Sequence, residues 1–503
     1  MKVRIPGLAW VAALVVSGAA GAQCPLVFEP VQTRDAGDYV ASLVVADFNG
    51  DGVRDFVSAN YNTHTVTVYL GGPGGTFTPG GTAATGNNPI GLAVGDVNAD
   101  GHPDVAVAHA DVLNTGNSFI SVLRGTGTGG LQGRTNHPVG KSPRAIGIAD
   151  FNNDGRPDVV VTSLTTNSVW QYVNVLLNNP AAPGGFGPAS FVQIGDGSAT
   201  TLVTHDFNND GLMDVAVTSL IGDLVTVMRG NGAGGFLSPY STYPVGDRPI
   251  GISKLDFNHD GIVDLAVLNG SGNSVSILKG SGNGGFFDRR DYGAGAGPDG
   301  MVVADFDGDS WEDVCVVSGS QWVSFLRGAP YETFQPAVSR FMECVPIGVA
   351  AGDFNGDTRP DLIMTNGTAF SLSTAISAVP LPVSVTQQPQ GVSVGTGGAA
   401  VFSVGADGTP LQYQWRRNGV NLVNGGAVSG ALSAVLTINP VGEGDAGAAF
   451  DCIVSNGCGA VRTDPAGLAV SGGCGSADFN GDGDLGTDAD IEAFFRVLAG
   501  GGC

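Results

Sequence analysis

At 503 residues the chain is too long for one ordinary domain, and its 81 glycines, lacking a Gly-X-Y period, exclude collagen while suiting short strands joined by tight turns. A net charge of −24 argues against nucleic acid, whose phosphates would be repelled, and against docking on an anionic membrane. Only 14% of residues are charged, so where the acid sits matters more than how much there is.

Residues 1–22 read as a secretory signal peptide. Lys2 and Arg4 form the positive start, Leu8 to Val16 is an apolar stretch too short to span a bilayer, and Ala20-Gly21-Ala22 fits small-residue cleavage before Gln23. Gln23 also sits where a lipid-attachment signal at Cys24 needs a small residue. No other stretch reaches about 18 apolar residues, so no membrane span is expected and the protein is expected outside the cell or on its surface. Seven cysteines in an exported chain suggest disulfides with at least one thiol left over.

From residue 47 onward one nine-residue pattern, Asp-x-Asn/Asp-x-Asp-Gly-x-x-Asp, recurs seven times, at intervals of 49, 54, 56, 50, 49 and 48 residues. A period near 50 signals a propeller or a solenoid. Each copy follows an apolar strand such as PIGLAVGDVN and precedes a β-rich run such as DVAVAH. A third strand, a Gly-rich turn and a fourth strand opened by an aromatic complete the unit, as in GNGAGGFLSPY. Four strands per repeat make one propeller blade. The seventh repeat lacks its fourth strand, whereas Phe28 to Gly37 matches the fourth-strand pattern ahead of the first repeat. Residues 28–37 are therefore expected to pair with 370–377, closing the ring and removing unpaired edges.

The pattern suits calcium, a hard cation that takes six to eight oxygens. Positions 1, 3, 5 and 9 supply side-chain oxygens, position 7 a carbonyl, and Gly at 6 the sharp turn. The candidate ligands are Asp47, Asn49, Asp51 and Asp55 in the first loop; Asp96, Asn98, Asp100 and Asp104 in the second; Asp150, Asn152, Asp154 and Asp158 in the third; Asp206, Asn208, Asp210 and Asp214 in the fourth. Asp256, Asn258, Asp260 and Asp264 form the fifth set, Asp305, Asp307, Asp309 and Asp313 the sixth, and Asp353, Asn355, Asp357 and Asp361 the seventh. Nearly half of the 46 acidic residues are thus committed to these loops. Turn chemistry without metal is the competing explanation for one such loop; seven favour metal. Ser310 and Thr358 replace the position-6 Gly, so the sixth and seventh turns must strain or adjust, which weakens the case for calcium there.

On the DFNGDG cores and the trailing Gly-Gly-Phe turns, the chain from about Leu26 to Ser377 resembles the FG-GAP (VCBS) repeat family, which includes the integrin α-subunit propeller and several fungal lectins. The resemblance implies a seven-bladed propeller over 23–378 with calcium loops on one face and ligands on the other. That opposite face carries the connections between second and third strands, the longest being residues 109–118.

After Ala378 the pattern changes, and 379–471 resembles an immunoglobulin-like domain. Trp415 falls at the strand C tryptophan position, Cys452 at the strand F cysteine and Phe450 at the corner Tyr, while Phe402 or Ser403 stands where the strand B cysteine would be. The resemblance leaves Cys452 needing another partner, and a bridge to Cys458 is expected in an exported chain. Residues 472–503 hold one more loop: Asp478, Asn480, Asp482 and the carbonyl of Asp484 fit EF-hand positions 1, 3, 5 and 7, with Asp488 or Asp490 as the acidic closer. Ile491, Phe494, Phe495 and Leu498 follow as an apolar helical stripe. The segment is similar to half of a GC-type dockerin, which implies an eighth calcium, a Cys474–Cys503 bond and a sorting or cohesin-like partner.

No catalytic pattern emerges. The six histidines show no metal-binding spacing, Gly391 to Gly395 matches G-x-S-x-G without a following helix, and Gly140-Lys141-Ser142 lacks the upstream Gly of a phosphate loop. The expected architecture is all-β: a seven-bladed propeller, an Ig-like sandwich and a short calcium-loop/helix segment. The expected role is secreted binding or adhesion toward a carbohydrate, matrix or protein ligand. The alternative is an extracellular polysaccharide lyase or hydrolase, which a cluster of His, Lys, Arg or Tyr at the channel mouth would favour.

Overall fold

A computed structural model describes residues 26–471, apart from 27, 37, 111–117, 165–169, 180, 182–183, 197, 368–370, 378–382, 408–410 and 457–458, together with 491–492 and 495–496. The signal-peptide residues, Cys24, most of the 109–118 connection, Cys458, Cys474, Cys503 and the loop from Asp478 to Asp490 lie outside the described residues. The described elements are β-strands and two 3-10 turns, with helical residues only at 491–492 and 495–496. Two compact units divide them, one spanning Phe28–Ala378 and one running from Val379 onward.

The first unit contains seven four-stranded antiparallel sheets. The first is typical: Val40–Ala46, Asp55–Asn60, Thr65–Gly72 and Thr76–Ala84 follow one another in space as in sequence. The second strand of this sheet is buried along its whole length because neighbouring sheets cover both its faces, which is why such strands read as near-continuous apolar runs. The fourth strand lies at the rim and is mostly exposed.

The seventh sheet joins Pro346–Gly352, Asp361–Asn366 and Ser371–Ala375 to Gln32–Asp35 from the other end of the unit. Gln32 pairs with Thr374 and Asp35 with Ser371, and a further bridge links Phe28 to Ser377. This is the pairing expected from the displaced fourth-strand pattern.

Apolar clusters join successive sheets. Val57, Val66 and Val68 of the first meet Val105, Val107 and Leu123 of the second, and Phe56, Tyr69 and Phe77 of the first meet Phe354, Ile363 and Leu372 of the seventh. The sheets thus form a closed cycle. The aromatic that opens a fourth strand packs edge-on against the position-2 Phe of the preceding sheet's loop, as in Phe236 on Phe151, Phe286 on Phe207 and, across the closure, Phe77 on Phe354. The Gly-Gly turns complete these joints: the Gly129, Gly234 and Gly284 amides donate to the carbonyls of Phe48, Phe151 and Phe207.

In the second unit, Val392–Gly395 runs parallel to Ala466–Ser471 in a sheet with Ala449–Asn456, Gln412–Arg417 and Val420–Asn421. Ala400–Ser403, Val435–Ile438 and Val428–Ser429 form another. Trp415 is fully buried and its indole N–H donates to the Ser433 carbonyl at 2.8 Å, while Phe402 and Phe450 stack at 4.7 Å. The expected bridge from Cys452 is not formed. Strand alternation turns Phe450, Cys452 and Val454 into the core, so the Cys452 thiol is free and buried, and burial pushes its pKa up to about 11. Cys315 and Cys344 are likewise buried free thiols.

Candidate functional site

Each nine-residue pattern forms the loop between the first and second strands of its sheet, and a buried residue pins it. The position-2 side chain, such as Phe48, Phe151 or Phe354, lies in the core. That fixes its amide, which donates to the position-9 carboxylate: Phe48 to Asp55 at 2.8 Å, Phe257 to Asp264 at 3.0 Å. The other oxygen of that carboxylate accepts from a residue at the end of the third strand, Gly71 at 2.7 Å or Gly280 at 2.6 Å. All seven position-9 residues, Asp55, Asp104, Asp158, Asp214, Asp264, Asp313 and Asp361, are buried with this pair of donors.

The partner glycine has a steric role that sequence reading missed. A Cβ on Gly71 would lie 2.3 Å from the Arg54 carbonyl, and on Gly280 2.3 Å from that of Val263. Its signal is a Gly recurring at the end of the third strand, at 71, 125, 230, 280 and 328. Asn178 and Ser377 take that place in the third and seventh sheets.

Positions 1, 3 and 5 organise the exposed part of the loop. Asp47 accepts from the amides of Gly50 and Gly52, Asn49 from that of Asp51, and Asp51 from that of Val53. Around Asp206, Asn208 and Asp210 and around Asp256, Asn258 and Asp260 the bonds are similar, except that position 1 accepts from the amide of position 5 (Asp210, Asp260) rather than position 4. Position 6 is left-handed in every loop, including Ser310 at φ 74° and Thr358 at φ 72°. A β-branched residue is poorly tolerated there. Thr358→Gly is accordingly expected to raise stability by about 0.5–1 kcal/mol, relief of strain outweighing the greater freedom of glycine in the unfolded chain. A lowered urea midpoint would show that the turn carries no such strain.

Burial raises the position-9 carboxyls, to about 6 for Asp104, Asp214, Asp264 and Asp361, and repulsion from the position-1 and position-5 carboxylates adds to this. The sixth loop departs furthest. Asp305, Asp307 and Asp313 bring ligand oxygens within 4.8 Å of one another, the one acidic group placed in this way among the described residues. Both Asp307 oxygens are buried without a hydrogen-bond donor, and Arg327 Nη1 lies 3.7 Å from Asp307 Oδ2. Burial, then Asp309, lifts Asp307 to about 7; burial, then Asp307, lifts Asp313 to about 8. Three carboxylates facing one another, two of their oxygens unsatisfied, fit a hard cation. Ser310 takes the left-handed backbone shape of the glycine it replaces, and Asp307 adds a fourth carboxylate where other loops have Asn.

On the opposite face, Tyr39, Ala41, Tyr61, Ile90, Arg144, Thr200 and Ile250 line a cavity of about 540 Å³. These residues come from five sheets, and sequence reading selected none of them. The longest connection on that face begins with His109, which is the buried end of the strand Asp104–His109; its ring bonds Ser121 Oγ at 2.9 Å, and burial lowers its pKa to about 4.

No curated protein matches the chain. Among solved structures, it resembles the N-terminal Ig1-2 module of the Drosophila receptor protein tyrosine phosphatase DLAR at 31% identity over 19% of this chain, with TM-score 0.17, and spans only 52% of that structure. A functionally unknown protein from Desulfotomaculum acetoxidans DSM 771 is similar at 12% identity over 62% of this chain and 89% of its own, with TM-score 0.46. A chimeric titin Z1Z2 is similar at 28% identity over 19% of this chain and 99% of its own, with TM-score 0.17. The FG-GAP-like repeat is matched at residues 35–107, 108–161, 150–217, 206–267 and 256–316, which together take in more than half of the sequence, and the chain therefore belongs to the FG-GAP-like repeat family.

Proposed function

We propose that this is a secreted or cell-surface calcium-binding protein whose seven sheets act as a seven-bladed β-propeller for binding or adhesion. The Ig-like domain over 379–471 serves as a spacer, and the dockerin-like segment over 472–503 as a sorting or attachment device. FG-GAP membership supports the binding role, and no described helix is long and apolar enough to cross a membrane. The single observation that carries the reading is the division of labour between faces. One bears seven Asp-rich loops whose amides and buried carboxylates hold a fixed shape, and the other opens a cavity lined by side chains from five sheets. Calcium at the loops would fix the spacing of the sheets and leave the other face free for an extracellular carbohydrate or protein.

A glycan and matrix-protein array probed with the mature chain tests this. Selective capture of one ligand class is expected, and an array blank at micromolar protein would reject the binding role. The second reading, a polysaccharide lyase or hydrolase, draws on Tyr39, Tyr61 and Arg144 meeting at the cavity, the kind of cluster an enzyme needs.

A further inference from the structure

The cavity has a built origin that the strand registers reveal. In the first, second, fourth, fifth, sixth and seventh sheets the pairing of first with second strand slips near its start: between Val40 and Ser42, Pro89 and Gly91, Ala199 and Leu202, Pro249 and Gly251, Pro298 and Gly300, and Pro346 and Gly348. A bulge releases one residue from the ladder and re-aims its side chain. The released residues include Ala41, Ile90, Thr200 and Ile250, all of which line the cavity, and Arg144 holds the same place in the third sheet. Four of the seven positions share a Pro-x-Gly frame, at 89–91, 249–251, 298–300 and 346–348. Gly91 admits the neighbouring sheet, since a Cβ there would meet the Arg144 carbonyl at 2.2 Å. The fold thus sets a position outside the ladder near the start of the first strand; Thr200 there bonds the Pro249 carbonyl and Asp299 accepts from the Gly319 amide, whereas the Arg144 side chain has no such partner among the described residues.

What stands at these positions is selective. Arg144 is the one cation among the cavity residues, is exposed, and has no hydrogen bond or ion pair from its side chain to the described residues. In a chain with 46 acidic and 22 basic residues, an unengaged guanidinium in a cavity is a place for an anion. Tyr39 and Tyr61 meet edge to face at 5.9 Å, and with Ile90 and Ile250 they supply flat and apolar wall. The volume is that of a small-molecule site. The net charge of −24 disfavours a long polyanion lying across the surface, but not a single acidic group delivered to Arg144.

We propose that the bulge positions of the first five sheets, with Tyr39 and Tyr61, form a binding site for a terminal uronate sugar, its carboxylate paired with Arg144 and its ring against the two tyrosines. This rests on the binding role proposed above and names the class of ligand.

The test is calorimetric titration of the mature full chain, at fixed calcium, with trigalacturonate, with its fully methyl-esterified form and with the peptide Gly-Glu-Gly. Trigalacturonate is expected to bind, with at least tenfold loss on methyl esterification and in Arg144→Gln, and a smaller loss in Arg144→Lys. Tyr61→Ala is expected to weaken binding several-fold, and melting curves check that each variant is folded. Equal binding of the esterified sugar, or undiminished binding by folded Arg144→Gln, would overturn the site while leaving a binding role intact. Tighter binding of the peptide would overturn the sugar class. No binding of any probe at millimolar concentration would overturn the site, and the array decides the broader role separately. Arg144-dependent release of an unsaturated product would support the site and replace the binding role by the lyase.

Discussion

Asp264→Ala is expected to destabilise the seven-sheet unit by about 2–5 kcal/mol in the absence of metal. The carboxylate accepts from two buried amides, Phe257 at 3.0 Å and Gly280 at 2.6 Å, and alanine leaves both without a partner. Each orphaned buried donor costs about 1–3 kcal/mol. Asp264→Asn should cost less than alanine, because one oxygen still accepts and the buried charge is gone. Asp260→Ala, in the exposed part of the same loop, removes acceptors from amides that water can reach and should cost about 1 kcal/mol. Urea unfolding in chelator ranks the three variants. An Asp264→Ala variant no less stable than Asp260→Ala would mean that position 9 does not clamp the first strand to the third.

Removing calcium is expected to lower the melting temperature clearly, and adding it back to restore it. Extracellular modules bind calcium with Kd of about 10⁻⁴–10⁻³ M, so millimolar metal contributes about 1 kcal/mol per site, and seven loops together a sizeable part of a domain's net stability of about 5–15 kcal/mol. The effect should depend on pH in a defined direction. Without metal, the position-9 carboxyls have folded pKa values raised above the ordinary 3.8, to about 6 in four loops and about 8 for Asp313. A raised folded pKa contributes stability that is complete below the unfolded value and is lost as pH rises through the folded one. The metal-free chain should therefore be more stable near pH 5 than near pH 8. Calcium needs the deprotonated form and opposes that loss, so the gap between chelated and calcium-loaded melting temperatures should widen from pH 5 to pH 8. Superimposable curves with and without chelator at pH 8 would reject calcium as a stabiliser.

The features legible in the sequence are those written within a few residues or by a fixed period. Seven Asp-rich patterns, the turn geometry at their sixth position and the strands beside them are local. The phase of the repeat, with a fourth-strand pattern displaced to Phe28–Gly37, pointed to the pairing of Gln32–Asp35 with Ser371–Ala375. Tertiary structure alone decided what depends on burial and convergence. Position 9 looks like any other ligand in the pattern, but the core around the position-2 side chain makes it a buried clamp with a raised pKa. The unsatisfied carboxylate of the sixth loop came from packing that removed Asp307 from water, and the fate of Cys452 from which side of its strand faced the core. The cavity was invisible because its walls are single residues separated by about fifty positions, brought together only when bulges in successive sheets turn toward one mouth.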